Sequence, residues 1–327
     1  MPRRAVIMSD THLGTTRSDS RAVNSFLRSL EAEASRLRLI LAGDIVDLWR
    51  ADDTEVVASC PEFFDAVRGL ADSGAIIDWV IGNHDHHLLR ALQGDGSPVL
   101  DALPRSIRFH RPFRRLVHHG RVFVITHGDV YDFFWLPLQG LPPLSWVLEP
   151  ADVEEFYDWV YLLDKGLVRS FDRYGTRGLL LAWVSQRWRD LWGWMSARAD
   201  ESSSFDEETL ESRAAAARSM SEALSFDPVS LARALARLEL ETIWERTDDA
   251  LRWRRMRYYS PFPSRVGRRR FAGRHEVVTG HFHDPRQGTG AGWRVTDCGS
   301  WWEGPGKGGT YVEVVDGVAR LRRYPGG

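Results

Sequence analysis

The chain has 327 residues, 43% hydrophobic and 27% charged, with a net charge of −2, which suits one large soluble domain carrying an insertion. Its two cysteines, Cys60 and Cys298, exclude a disulfide framework and a thiolate metal site, and a reducing, cytoplasmic setting is expected. The apolar run after the basic start is too short for a signal peptide, and no stretch reaches the ~18 apolar residues of a spanning helix.

In chain order, Ala5 to Met8 reads as a buried strand and runs straight into Ser-Asp-Thr-His-Leu-Gly at Ser9 to Gly14. A helix follows near Ser20 to Ser35. A second apolar run, Leu39 to Ala42, precedes Gly-Asp-Ile-Val-Asp at Gly43 to Asp47, and a helix near Val56 to Asp72 follows. The third run, Ile76 to Ile81, ends in Gly-Asn-His-Asp at Gly82 to Asp85, which opens a helix from Asp85 to Leu92. This βαβαβ order argues for a parallel sheet.

From Ser106 to His127 shorter strands are joined by turns such as His119-Gly120, and Val122 to Ile125 leads into Thr-His-Gly-Asp at Thr126 to Asp129. Glu276 to Val278 precedes Gly-His-Phe-His at Gly280 to His283. Val312 to Asp316, Gly317 and Val318 to Arg322 then read as a terminal hairpin. Five motifs thus leave five strand ends, the place where open α/β sheets gather their sites. Residues at i and i+2 leaving a strand face one way, so Asp10 with His12, and His281 with His283, each address one pocket. Carboxylate, amide oxygen and imidazole suit divalent metal ions.

The five motifs in this order resemble the calcineurin-like metallophosphoesterases, over roughly the first 130 residues and the last 65. The resemblance implies an α/β fold, a four-layer αββα sandwich, with residues 1–132 and 263–327 as the core and 133–262 as a long helical cap insertion. It implies two divalent metal ions, Mn first among them, with Fe, Zn, Ni, Co or Mg as alternatives. Asp10, His12, Asp44 and His283 would hold one ion; Asp44, Asn83, His127 and His281 would hold the other. Hydroxide between the ions would attack the phosphoryl group.

His84 matches the family histidine that stabilises the transition state or protonates the leaving oxygen, with Asp85 as its orienter. The other reading of Gly-Asn-His-Asp is a capping turn, with Asp85 as an N-cap. Asp47 and Asp129 read as groups that orient ligands, against a surface helix position for Asp47. His86, His87, His110, His118, His119 and His275 read as ordinary histidines. Asp297 to Trp301 looks like the Gly-Ser-Trp segment of the family, a core strand and turn without a chemical role.

About 150 residues separate Thr-His-Gly-Asp from Gly-His-Phe-His. Leu181, Val184, Trp188, Leu191 and Met195 fall at helical spacing there, with Trp183, Trp192 and Trp194 beside them. This face either packs as core, or forms a cap that receives an apolar part of the substrate, rests on a membrane interface or makes a dimer contact. Arg252, Arg254, Arg255 and Arg257 either make a solvated face or bind the phosphates of a substrate, anionic lipid or nucleic acid.

Leu48-Trp49 and the helical insert make the chain look most like the UDP-2,3-diacylglucosamine pyrophosphohydrolases. The likeness implies a UDP-sugar lipid or similar amphiphilic pyrophosphate as substrate, with Trp188, Trp192, Arg254 and Arg257 in its binding, and peripheral contact with the inner membrane face. That branch commonly has Arg where this chain has His84, and a shorter insert. A soluble phosphodiesterase or phosphatase acting on nucleotides or nucleic acid is the alternative, and a non-catalytic binding protein on the same fold comes third. The sequence does not set the oligomeric state.

Overall fold

A computed structural model describes residues 4–111, 113–129, 157, 160–162, 165, 168, 275–290, 293–302 and 308–325. The chain divides into two compact units, Met1–Tyr161 with Asp249–Gly327, and Leu162–Asp248. The first holds nearly all the described residues; in the second these are Leu162, Lys165 and Val168. The helices expected between 181 and 257, with Trp188, Trp192, Arg254 and Arg257, lie outside the described residues, as does most of the segment 133–262.

The first unit is built on two sheets. One takes β1 (Arg4–Met8), β2 (Leu37–Leu41), β3 (Ile76–Val80) and β4 (Arg108–His110) in parallel. β10 (Gly309–Val315) pairs antiparallel with β1, and β11 (Val318–Tyr324) closes that edge. The other sheet has the order β5 (Phe113–His118), β6 (Arg121–Thr126), β7 (His275–Thr279), β9 (Trp293–Asp297) and β8 (Gln287–Gly290), with β6, β7 and β9 parallel. The terminal hairpin forms where Asp-Gly stands between two apolar runs. Asp316 and Gly317 have φ of 51° and 74°, the left-handed pair that a tight hairpin turn requires.

Strand alternation divides the core in two. Val6 and Met8 of β1 face α1 (Ser20–Ser29) and α3 (Pro61–Asp72), with Leu39, Leu41, Phe26, Phe63 and Val67. Ala5 and Ile7, one residue out of phase, face the second sheet with Ile40, Val80, Leu116, Phe123, Ile125 and Val278. Helices therefore cover one face of a two-sheet sandwich. The fourth layer of the expected αββα arrangement lies outside the described residues.

Three helices differ from expectation: the one read near Ser20 to Ser35 is α-helical only to Ser29, and a 3-10 helix over Glu31–Arg36 follows it. The span read as one helix from Val56 to Asp72 is two, α2 (Asp53–Ser59) and α3, broken at Cys60. Pro61 is the cause: its ring disfavours a helical Cys60, while its missing N–H costs nothing at the first position of α3. In the segment Asp85 to Leu92 the first three residues are turn, and a short α4 (Leu88–Arg90) then runs into a π-helical turn over Ala91–Asp95. Asp85 is not an N-cap. Its carboxylate turns back to accept from the backbone N–H of Gly82 and Ile45 and from the indole N–H of Trp79 at 2.9 Å, tying the loop after β3 to the loop after β2.

Candidate metal centre

All five motif loops leave the carboxyl ends of β1, β2, β3, β6 and β7, and backbone hydrogen bonds lace them together. Asp10 N–H donates to Gly43 carbonyl at 3.0 Å, His12 N–H to Asp44 carbonyl at 2.9 Å, and Gly280 N–H to His127 carbonyl at 2.9 Å. Side chains extend the lacing. Asp44 Oδ1 accepts from His84 N–H at 2.8 Å, and Asp10 Oδ2 accepts from His281 N–H at 3.0 Å.

The backbone that aims these residues is not extended. Asp10, His12, Asp44, His281 and His283 all have positive φ, between 46° and 71°. Five such residues at one place is unusual, since the left-handed region costs a non-glycine residue on the order of 1–2 kcal/mol. This corrects the reasoning from strand alternation. The i and i+2 pairs do face one pocket, but kinks past the strand ends turn them there. Glycines make the room: a Cβ at Gly82 would collide with Asp44 and His127, and one at Gly280 with Asp10 and Ser9.

Asp44 sits at the middle. Its Oδ2 lies 3.1 Å from His127 Nε2, 3.8 Å from His12 Nε2 and 3.9 Å from His84 Nε2. On one side, His283 Nε2 is 3.2 Å from Asp10 Oδ1 and 3.3 Å from His12 Nε2. On the other, His127 Nε2 is 3.1 Å from Asn83 Oδ1. The donor groups Asp10-His12-His283, His12-Asp44-His84 and Asp44-His127-His281 each converge closely enough to hold a metal ion, and Asp44 and His12 are shared between groups.

The outer ring nitrogens fix the tautomers. His127 Nδ1 donates to Ala42 carbonyl at 3.0 Å, and His12 Nδ1 donates to Asp47 Oδ2 at 3.1 Å, so each ring turns Nε2 to the centre. Imidazole lone pairs, carboxylate oxygens and an amide oxygen thus point at one another, an arrangement that fits divalent cations.

Charge within the centre is strongly coupled. Burial works against ionised Asp44, yet the imidazoles of His127, His84 and His12 hold its carboxyl well below the usual range. Burial likewise opposes protonation of His127, but Asp44 and Asp10 carry it up to about 10; that nitrogen takes a proton or a metal ion in competition. Burial, with the Asp44 charge added, pushes Asp85 up to about 6. Burial lowers His12 despite its bond to Asp47.

Asp47 is fully buried, not on a surface helix. Its Oδ1 accepts from His84 Nδ1 at 2.9 Å, and its Oδ2 lies 2.8 Å from the Arg50 guanidinium. Asp129, also buried, grips Arg111 through two oxygens at 3.1 and 2.8 Å, and the same guanidinium donates to Ile81 carbonyl at 2.8 Å. Asp85 reaches His84 only through the loop it ties, while Asp47 holds the His84 ring directly.

Several residues around the centre escaped the sequence reading. Arg50 lies 3.2 Å from His84 Nδ1 as well as on Asp47. Trp302 packs at 4.9 Å from the His12 ring and 5.4 Å from His283. Arg111 braces Asp129, and Trp49, which the sequence reading names only as part of the family likeness, lies 4.2 Å from the His84 ring. Arg50, three residues after Asp47 and opposite in charge, was findable. Trp302 carried no pattern beyond its place after Gly-Ser-Trp, whose Trp301 N–H donates to Asp10 carbonyl at 3.0 Å.

The fold and this site define a metal-dependent hydrolase of phosphate esters, and the chain belongs to the calcineurin-like phosphoesterase family, whose sequence model matches residues 3–285. No curated protein matches the sequence. Among solved structures, a dimetal phosphatase from Danio rerio is similar at 11% identity, over 99% of this chain and 97% of that one, with a TM-score of 0.39. The phosphopantetheinyl hydrolase of Mycobacterium tuberculosis is similar at 18% identity, over 91% and 90%, with a TM-score of 0.34. A conserved uncharacterized protein from Streptococcus pneumoniae, described as a predicted phosphoesterase, is similar at 10% identity, over 98% and 97%, with a TM-score of 0.29. Among the described residues no helix is long and apolar enough to cross a membrane.

Proposed function

We propose that this phosphoester hydrolase binds two divalent metal ions, one through Asp10, His12, Asp44 and His283 and the other through Asp44, Asn83, His127 and His281, and cleaves the pyrophosphate of a UDP-sugar lipid or similar amphiphile. The position of Asp44 carries the two-ion reading: one carboxylate oxygen stands 3.8 Å from His12 Nε2 of the first proposed set and 3.1 Å from His127 Nε2 of the second. When bound, such a pair supplies Lewis-acid polarisation of the phosphoryl group and activation of a water.

The chain's own residues do the rest. His84, its Nδ1–H held by Asp47, whose carboxylate is gripped in turn by Arg50, turns Nε2 toward the centre and delivers a proton to the leaving oxygen from there. The bond from His84 N–H to Asp44 Oδ1 holds that oxygen and fixes how the other one is presented. Asp47 keeps His12 in the tautomer whose Nε2 can ligate. Leu48-Trp49 and the Trp-rich stretch around Trp188 and Trp192 support the amphiphilic substrate, as does the basic stretch with Arg254 and Arg257.

The test is hydrolysis by the Mn-loaded protein of UDP-2,3-diacylglucosamine, with product identification, beside bis-p-nitrophenyl phosphate. UMP release far faster than diester cleavage supports the amphiphile. Diester cleavage with the UDP-lipid untouched rejects it and points to soluble nucleotides or nucleic acid. Trp188→Ala with Trp192→Ala should impair the lipid substrate far more than the small diester; equal losses would reduce those tryptophans to packing.

A further inference from the structure

Trp302 walls one side of the centre. Its ring lies 4.9 Å from the ring of His12, and its indole N–H is fixed on Thr15 Oγ1 at 3.2 Å. Two guanidinium groups are seated on the same ring, Arg17 at 5.0 Å and Arg50 at 5.5 Å from its centroid. Cation–π attraction favours each placement.

The two arginines are not equivalent. Arg50 is bound by the buried Asp47 carboxylate at 2.8 Å, and its charge belongs to the network that fixes His84. Arg17 is exposed, and among the described residues no carboxylate pairs with it; its recorded contact is the indole face. Arg17 therefore carries an uncompensated guanidinium one indole ring away from His12, on the side of the centre where Trp302 packs against His12 and His283.

We propose that Arg17, seated on Trp302, binds a second anionic group of the substrate, the phosphate next to the one that is cleaved, and so sets a preference for diphosphates over isolated phosphate groups. This rests on the hydrolase reading of the centre and narrows its substrate class. A guanidinium matches two phosphate oxygens at once, and at an exposed position such as that of Arg17 a charged pair of this kind is worth up to about a fivefold difference in affinity, with the bidentate geometry at the upper end. Trp302 is already covered by two cations and the His12 ring, so it acts as the seat of Arg17 rather than as a stacking platform for a base.

Binding, read separately from turnover, decides the matter. Calorimetric titration of the Mn-loaded full chain with the α,β-methylene analogue of ADP and with AMP gives the preference for two phosphates over one. In the wild type the diphosphate analogue should bind more tightly. Arg17→Ala should cut that preference about fivefold, Arg17→Lys should restore part of it, and Trp302→Leu should act in the same direction as Arg17→Ala. A preference that stays within twofold of the wild type in Arg17→Ala overturns the inference. If Arg17→Ala lowers the preference but the wild type hydrolyses no phosphoester with any divalent metal, the hydrolase reading fails and the anion site stands. If hydrolysis proceeds and the preference ignores Arg17, the anion site alone fails.

Discussion

Asp47 Oδ1 accepts a hydrogen bond from His84 Nδ1 at 2.9 Å, and through its other oxygen the same buried carboxylate holds His12 Nδ1 at 3.1 Å. One side chain thus sets the tautomer of a proposed ligand and of the proposed proton donor. Asp47→Asn keeps the shape but replaces one acceptor by an N–H₂ group, which must face an imidazole N–H. We expect kcat to fall about 10- to 100-fold and metal affinity to weaken with it, at little cost to the fold. Steady-state kinetics beside a metal titration checks this, and wild-type values in both would reject the positioning role.

His127→Ala removes the nitrogen that stands 3.1 Å from both Asp44 Oδ2 and Asn83 Oδ1. Turnover should drop about a thousandfold or more, since metal-based catalysis supplies several kcal/mol of the barrier reduction. Circular dichroism should be unchanged. A folded variant with substantial activity would count against His127 as a ligand.

Gly280→Ala tests the room beneath the ligands. The added methyl would press on Asp10 and Ser9, and overpacking of this kind costs about 1–3 kcal/mol. Because Asp10 must give way, metal affinity should suffer more than thermal stability suggests. Calorimetric metal titration and a melting curve separate the two effects; a variant that melts lower but binds metal normally would place the strain elsewhere.

Much of this was legible in the sequence. Apolar runs ending just before Ser9, Gly43, Gly82, Thr126 and Gly280 marked both the strands and the ends that carry the site, because a buried strand and a polar terminus leave opposite compositions. What was not legible has tertiary causes. The positive φ of Asp10, His12 and Asp44, which Asp and His tolerate better than most residues, goes with the lacing between loops and has no signature in the strand pattern. The contacts of Trp302 and Arg111 arise only once distant segments meet. The break at Cys60 was readable from Pro61 and was overlooked.

Asp297, a buried carboxyl that is not itself a proposed ligand, offers a test of the electrostatics beside the centre. Burial pushes its carboxyl well above the ordinary range, opposed by the Gly299 N–H at 2.7 Å and reinforced by the charges of Asp10 and Asp284. A folded pKa above the unfolded 3.8 means that stability from this group is full below pH 3.8 and is lost as pH rises toward the folded value. Asp297→Asn does not titrate and can still accept from Gly299. The stability of the variant relative to metal-free wild type should therefore rise with pH over that window. Denaturant unfolding at several pH values measures it; a difference that falls with pH would reverse the sign argued here.

The central claim is that Asp44 bridges two ions on which phosphoester hydrolysis depends. The most direct measurement is metal content by mass spectrometry together with bis-p-nitrophenyl phosphate turnover, for the wild type before and after chelation and for Asp44→Asn. The account predicts two ions per chain, turnover that vanishes on chelation and returns with added Mn, and a folded Asp44→Asn protein that is inactive and metal-depleted. Undiminished turnover in the chelated protein or in Asp44→Asn would contradict it.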